Sequence, residues 1–404
     1  MPTKLSALPL MAALLAGIAA CDREPPTTAP SVSSAEDGAL LTSPGFGLGR
    51  PLGFLSADQR RLFDRGRVVF ATVFTPETGK GPLFNAASCA TCHVSPVVGG
   101  VGPQVETHQT AFANGVCDDL EEIGGQVIQD SGTPAFQAAL GLSKEPLLLE
   151  ATGTGHRTTP SVLGFGLLEA VPNAEILRRA DPNDLNHDGI SGRAAVSPTG
   201  EVGRFGRKDN AATLDEFLSG AFIYEMGITN ADEPEEQTVH GAPLPAGVDP
   251  APDPEITPQD FNAAVSFVRF LAPPPPRFGF GDRRGRFLFA RIGCASCHTP
   301  ALFTGNNPVR VLSNRVVFAY TDLLLHDMGP DLSDICLAQA EPSEFRTEPL
   351  MGLRFKTAYL HDARATSIDQ AIQMHGGEAT AARNRYLSLS PAERATLVSF
   401  LSRL

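Results

Sequence analysis

The chain has 404 residues, 42% hydrophobic and 19% charged, which is enough for two or three ordinary globular cores. Its formal charge of −13 argues against a nucleic-acid partner, and its 34 prolines and 39 glycines mark a large share of loop.

At the start, Lys4, the apolar stretch Leu5 to Ile18 and then Ile18-Ala19-Ala20-Cys21 read as a lipoprotein signal over residues 1–20, too short for a membrane span. Cleavage before Cys21 removes Lys4, leaves a mature charge of −14 and frees Cys21 for lipidation. The expected address is the periplasmic side of a bacterial membrane; an ordinary secretory signal is the alternative. Residues 21–50 are rich in Pro, Ser, Thr and Ala without periodicity and read as a flexible tether.

A helix is predicted after Ser56-Ala57-Asp58-Gln59, which has capping-box spacing, with Leu62, Phe63, Gly66, Val69 and Phe70 as its apolar stripe. Cys89-Ala90-Thr91-Cys92-His93 follows, and Cys294-Ala295-Ser296-Cys297-His298 repeats it. A CxxCH segment suits covalent haem attachment: a helical turn brings both thiols to one porphyrin edge and leaves the histidine to ligate the iron. Zinc needs its second thiol pair near, whereas here it begins 205 residues later, and a thioredoxin-like CxxC has no use for the fifth residue. Two haem c groups are therefore expected, with Cys89, Cys92, Cys294 and Cys297 as attachment points and His93 and His298 as proximal ligands.

Between the two segments, Asp184, Asn186 and Asp188 alternate before Gly189 as in calcium loops, but the twelfth position is Ala195, so a hydrogen-bonded turn competes with a calcium site. Gly203-Arg204-Phe205-Gly206-Arg207-Lys208 is a basic cluster that could meet haem propionates or lie exposed. Thr257-Pro258-Gln259-Asp260 starts a helix ending near Leu271, and Pro273 to Pro276 form a linker. Arg284-Gly285-Arg286-Phe287-Leu288-Phe289 then echoes Arg65-Gly66-Arg67-Val68-Val69-Phe70, and Ser390-Pro391-Ala392-Glu393 opens a last helix. Domains are placed at 51–275 and 276–404. Cys117 and Cys336 remain, either as one disulfide or as two buried thiols.

Several segments resemble the bacterial di-haem oxidoreductase family, whose members are described as di-haem peroxidases or thiol oxidoreductases. They are Gly166 to Pro172, Gly203 to Lys208, Leu324-Leu325-His326-Asp327-Met328-Gly329, Phe345-Arg346-Thr347 and Tyr359-Leu360-His361-Asp362. The resemblance runs from about Leu52 to Leu404 and extends to di-haem cytochrome c peroxidases. It implies a mainly α fold of two cytochrome c-like domains with long loop insertions and one covalent haem each. It also implies reduction of hydrogen peroxide, with electrons arriving through the second haem from a small cytochrome or cupredoxin. Two other classes stay open: a non-catalytic electron-transfer cytochrome, and a haem oxidase or oxygenase of an organic substrate.

The same resemblance implies residue roles. His375, 14 residues after His361, stands where the peroxidases carry the second haem's sixth ligand, with Met374 the alternative. His108 could close the first iron instead of leaving it open. Glu169, in the apolar run Leu163 to Val171, matches a distal acid whose raised proton affinity would serve O–O cleavage; the alternative is a carboxylate held by an arginine such as Arg157. His326 and His361 are expected beside the second haem without ligating it. Glu348, Met351 and Ala363 depart from the usual pattern, and the absence of Trp removes the side chain that bridges the haems in the peroxidases.

Overall fold

The computed structural model describes residues 47–197, 199–279 and 281–404. The expected signal, Cys21 and most of the tether lie outside the described residues. The chain divides into Met1–Leu40 and Leu41–Leu404, and every described residue lies in the second unit.

Among the described residues there are eleven α-helices: α1 (Ala57–Ala71), α2 (Cys89–Cys92), α3 (Pro134–Leu140), α4 (Phe165–Glu169), α5 (Asn173–Leu177), α6 (Leu214–Met226), α7 (Pro258–Phe270), α8 (Asp282–Arg291), α9 (Ile368–Met374), α10 (Thr380–Leu387) and α11 (Pro391–Leu401). None is long and apolar enough to cross a membrane. The helix starts follow the sequence closely. Ser56 and Gln59 form a capping box on α1, Ser390 and Glu393 one on α11, and Thr257 Oγ1 caps α7 by accepting from the Asp260 N–H at 3.2 Å.

The echoed Arg-Gly-Arg segments do the same job twice. α1 lies across α7 with Phe63 and Phe70 each about one ring diameter from Phe267, at centroid distances of 5.1 and 5.0 Å. A Cβ on Gly66 would sit 1.8 Å from the Ala263 carbonyl oxygen, so the helices touch backbone to backbone there. α8 meets α11 in the same way: a Cβ on Gly285 would lie 2.3 Å from Phe400 Cβ. A mid-helix glycine costs roughly 1 kcal/mol against alanine, and this close approach offsets it.

Two cores follow. The larger gathers Phe63, Phe165, Phe205, Phe222 and Phe267, and also takes Leu302, Val311, Val317 and Leu324 from beyond the proline linker. The smaller holds Leu288, Phe289, Tyr320, Tyr386, Leu397 and Phe400, all from the second half. The halves are thus joined through a shared core as well as the linker.

The first half also contains structure that the sequence reading left as loop. Of the ten short strands among the described residues, β1 (Leu83–Phe84) pairs with β5 (Ser131–Gly132), while β2 (Val105–Ala113) binds β3 (Val116–Asp118), β4 (Gln126–Ile128) and β6 (Gly153–Thr158), all antiparallel. The register sets Glu106 opposite Arg157 and His108 opposite Gly155. With period two along the strand, Glu106 and His108 share one face. The second half has two further antiparallel pairs, β7 (Leu302–Phe303) with β8 (Val316–Val317) and β9 (Leu325–Asp327) with β10 (Glu344–Arg346). A disulfide joins Cys117 on β3 to Cys336, 219 residues on, so the two spare cysteines pair and tie the inserted sheet to the second half.

Candidate functional site

The first CxxCH begins on α2, where Ser88 Oγ accepts from the Thr91 N–H at 3.2 Å and fixes the turn. His93 is its C-cap, and its Nδ1 lies 3.1 Å from the Gly100 carbonyl while its ring packs 5.7 Å from that of Phe70. The second CxxCH lies on a 3-10 turn, Cys294–Ser296, and His298 Nδ1 is 3.0 Å from the Tyr320 carbonyl. In each case a carbonyl takes the Nδ1 proton, which leaves Nε2 as the electron-pair donor a metal needs. Burial lowers the pKa of both rings, that of His298 to about 4, so both are neutral.

His375 repeats this arrangement. It caps α9, its Nδ1 lies 2.7 Å from the Ala371 carbonyl, and burial lowers its pKa as well. It is near enough to His298 that a charge on His375 would oppose one on His298. Met374 is the last residue of α9, one place earlier. The four CxxCH cysteines are free thiols, and burial pushes Cys89, Cys92 and Cys294 up to about 12, so these three are not thiolates at neutral pH. Free thiol pairs beside histidines oriented for ligation fit a porphyrin better than a thiolate-bound metal.

Next to the first CxxCH lies a group of side chains that the sequence reading passed over. Glu106 and Glu225 are near enough to shift one another's proton affinity, and both sit close enough to Cys92 to disfavour its thiolate. Asn85 Nδ2 donates to Glu225 Oε2 at 2.8 Å. Burial raises Glu106 to about 7; burial and the neighbouring Glu106 carboxylate raise Glu225 well above the carboxylate range, so the pair keeps a proton. His108 Nε2 is 3.6 Å from Glu106 Oε2, yet both of its ring nitrogens are buried without a hydrogen-bond partner. Burial lowers its pKa to about 4, and Arg157 adds to this. A neutral imidazole beside a protonated carboxyl pair thus keeps two buried nitrogens that no protein group satisfies. Only alternation along β2 could have flagged it, and the polar residues of Val105–Ala113 obscure that pattern.

Glu169 is elsewhere in role. Arg269 grips it with Nε to Oε2 at 2.5 Å and Nη2 to Oε1 at 2.8 Å, and the Leu214 N–H donates to Oε1 at 2.9 Å. The carboxylate in the apolar run is thus held by an arginine, the alternative to a distal acid, and that arginine is Arg269 and not Arg157. The basic cluster is mostly interior. Arg204 donates to the carbonyls of Glu169 and Val171 at 3.0 and 2.6 Å, and Lys208 Nζ to those of Glu341, Pro342 and Glu344 at 3.1, 2.9 and 2.6 Å. Arg207 meets Glu348 at 2.6 Å, which also takes Lys356 at 2.7 Å and Arg346 at 3.2 Å; despite its burial these cations hold Glu348 well below its usual range. The unusual residue at 348 is thus the hub of three cations.

His326 lies between Asp322, 3.0 Å from Nε2, and Glu378, 2.7 Å from Nδ1, with Cys297 Sγ 3.8 Å away. Burial opposes its charge, but the two carboxylates outweigh this and hold it protonated, with both nitrogens occupied. His361 stacks on Phe345 at 4.4 Å with Nε2 3.3 Å from Asp334, and burial lowers it to about 4. The Asp184 loop closes on itself: Asp184 Oδ1 accepts from the Asp188 N–H at 3.0 Å, Asn186 Oδ1 from the same N–H at 2.9 Å, and Asp188 Oδ1 from the Ile190 N–H at 3.0 Å. Its side-chain oxygens accept from the loop's own N–H groups, as the hydrogen-bonded turn weighed against a calcium site requires. Elsewhere among the described residues, one oxygen each of Glu236, Asp249, Asp253 and Glu255 converges within 4.8 Å.

Two sites, each with a carbonyl-oriented histidine behind a thiol pair, define a haem-binding oxidoreductase scaffold. Residues 141–404 match the family described as "Di-haem oxidoreductase, putative peroxidase", and the chain belongs to this family. No curated protein matches it. Among solved structures it is similar to hydrazine synthase of Kuenenia stuttgartiensis, at 13% identity over 98% of this chain and 100% of that one with a TM-score of 0.40. It is also similar to a MauG-like protein associated with microbial copper homeostasis, at 16% identity over 88% and 92% with a TM-score of 0.40. A third is the di-haem peroxidase BthA of Burkholderia thailandensis, at 16% identity over 85% and 86% with a TM-score of 0.39. Similarity at this level does not extend to function.

Proposed function

We propose that the protein is a c-type di-haem peroxidase that reduces hydrogen peroxide at the first site with electrons entering through the second. One haem is held by Cys89, Cys92 and His93, the other by Cys294, Cys297, His298 and His375. The observation that carries this reading is the asymmetry between the sites: a third carbonyl-oriented histidine beside His298, against a proton-holding carboxyl pair beside the first CxxCH. When bound, the haems would supply redox-active iron for the exchange of electrons between donor and peroxide.

The protein's own part is proton management. Peroxide reduction breaks the O–O bond and consumes two electrons and two protons to give two waters. Glu225 and Glu106 hold and deliver a proton there, and Asn85 keeps Glu225 oriented. His108 lies beside them to hydrogen-bond substrate. The electrons come from a small cytochrome or cupredoxin. The chain is placed on the periplasmic side of a bacterial membrane, anchored through a lipid on Cys21; the Cys117–Cys336 disulfide supports an oxidising compartment.

The test is an optical and spin-resonance spectrum of the purified holoprotein together with peroxide turnover. One high-spin and one low-spin haem, with His375→Ala making the second high-spin, agree with the proposal. Two low-spin haems unaffected by peroxide overturn it. The unpartnered ring nitrogens of His108 favour that second reading, a pure electron carrier in which His108 closes the first iron; His108→Ala would then open the site.

A further inference from the structure

The acidic balance of the chain is not shared by its halves. Residues 277–404 hold 15 Lys and Arg against 12 Asp and Glu, a net of +3, so residues 1–276 carry −16 of the total −13. The positive charge of the second half is concentrated where the second CxxCH begins. On α8, Arg284 and Arg291 are exposed and flank the exposed ring of Phe287, with guanidinium carbons 5.2 and 5.6 Å from its centroid. They share one carboxylate, Glu393, at 2.8 and 3.2 Å, so the group keeps a positive excess. From α10, Arg385 Nε donates to the Ile292 carbonyl at 2.8 Å, which brings its charge beside Cys294, and Arg383 lies near enough to His375 to disfavour its protonation. The nearby Asp282 is buried and 3.4 Å from Arg403, so it does not offset this face.

We propose that this face, formed by Arg284, Phe287, Arg291, Arg383 and Arg385 around Cys294, is the docking surface for an acidic electron-donor protein. The proposal rests on the reading that electrons enter through the second site. The whole-chain charge points to a basic donor, but a donor responds to the potential over the patch it meets. Within a Debye length of about 8–10 Å at physiological salt, local charges dominate distant ones. An exposed aromatic ring framed by arginines supplies the apolar centre and charged rim of a transient interface. The strongly negative first half would meanwhile repel an acidic donor from unproductive approaches.

The experiment uses the full-length holoprotein in stopped flow, without peroxide, reading reduction of the second haem. The probes are a small acidic cupredoxin and, in parallel, a basic monohaem cytochrome. The acidic donor should react faster at low salt, and its rate should fall about tenfold between roughly 20 and 300 mM salt. Arg284→Glu with Arg291→Glu should slow it about tenfold. Reduction by a small neutral reductant should stay unchanged, which certifies the folded haem site. The proposal is overturned if the basic cytochrome is the faster donor with the same salt dependence, or if the double variant keeps its rate with the acidic donor. It is also overturned if the variant loses only binding to phosphatidylglycerol vesicles, since the face would then be a membrane contact. A protein inert towards peroxide still reports docking here, so failure of the peroxidase reading shows separately, in turnover.

Discussion

In the first half five buried or half-buried carboxyls are pushed towards their protonated form, while in the second half Asp334, Glu348 and Glu378 are held in the ionised form. Burial raises Glu145 to about 8, Glu236 to about 9 and Glu255 to about 7, and Glu106 and Glu225 behave alike. Beyond the linker the balance reverses: burial is outweighed at Asp334 by Arg157, at Glu348 by Arg207 and Lys356, and at Glu378 by His326, and all three are lowered. Both halves use one helix-pair scaffold with one close glycine contact, so scaffold and electrostatics are separable. The same frame can hold buried acids pushed either way, depending on whether burial or the neighbouring cations prevail: at Glu106 burial wins over Arg207 and Arg157, whereas at Glu348 Arg207 and Lys356 win over burial.

The strongest way to break the comparison is to remove one site at a time. Cys89→Ala with Cys92→Ala should lose one haem equivalent, and so should Cys294→Ala with Cys297→Ala, counted by haem stain on denaturing gels. Retention of both haems in either variant ends the two-site description. Next in size, Glu225→Gln should slow peroxide turnover on the order of 10²–10⁴-fold while haem content stays full. Glu169→Gln should leave turnover near wild type and lower thermal stability, because it loosens the grip of Arg269. Equal kinetic losses in the two variants would refute the reassignment of the acid.

The scaffold itself can be compared by adding one methyl group. Gly66→Ala meets a backbone oxygen and should cost near the upper end of the ~1–3 kcal/mol for overpacking. Gly285→Ala meets the side chain of Phe400, which can shift, and should cost near the lower end. Denaturant midpoints measure both, and the reverse order would mean that the Phe400 side chain yields less readily than the Ala263 backbone.

The smallest effect sharpens the electrostatic contrast. For Glu145, Glu236 and Glu255 the folded pKa lies above the unfolded one, so the folded state binds more protons from about pH 4.5 up to about 9. Their contribution to stability therefore falls as pH rises through that window. Asp334, Glu348 and Glu378 have lowered values, and their contribution is lost instead as pH falls below about 4. Melting temperatures across pH should decline at both ends, and Glu145→Gln with Glu236→Gln should flatten only the alkaline side. An unchanged alkaline slope would show that these acids are not held protonated.

The sequence by itself determined the two CxxCH positions, the helix starts at Ser56, Thr257 and Ser390, and the paired glycines 66 and 285. Each of these is local: capping, turn spacing and helical periodicity act over a few residues and leave a visible pattern. The family resemblance pointed to His375, 14 residues after His361, and the structure has His375 near His298 with its Nδ1 engaged. Tertiary structure alone decided the rest. Glu106 and Glu225 are 119 residues apart in the chain, and only the β2 register and the end of α6 bring them together. Glu169 looked like an unpartnered acid because its arginine arrives from α7, 100 residues later, and the cluster at 203–208 looked like surface because its carbonyl partners lie mainly in distant segments. A charge buried in a protein takes its properties from neighbours within a few ångströms, and sequence distance carries almost no information about which neighbours those are.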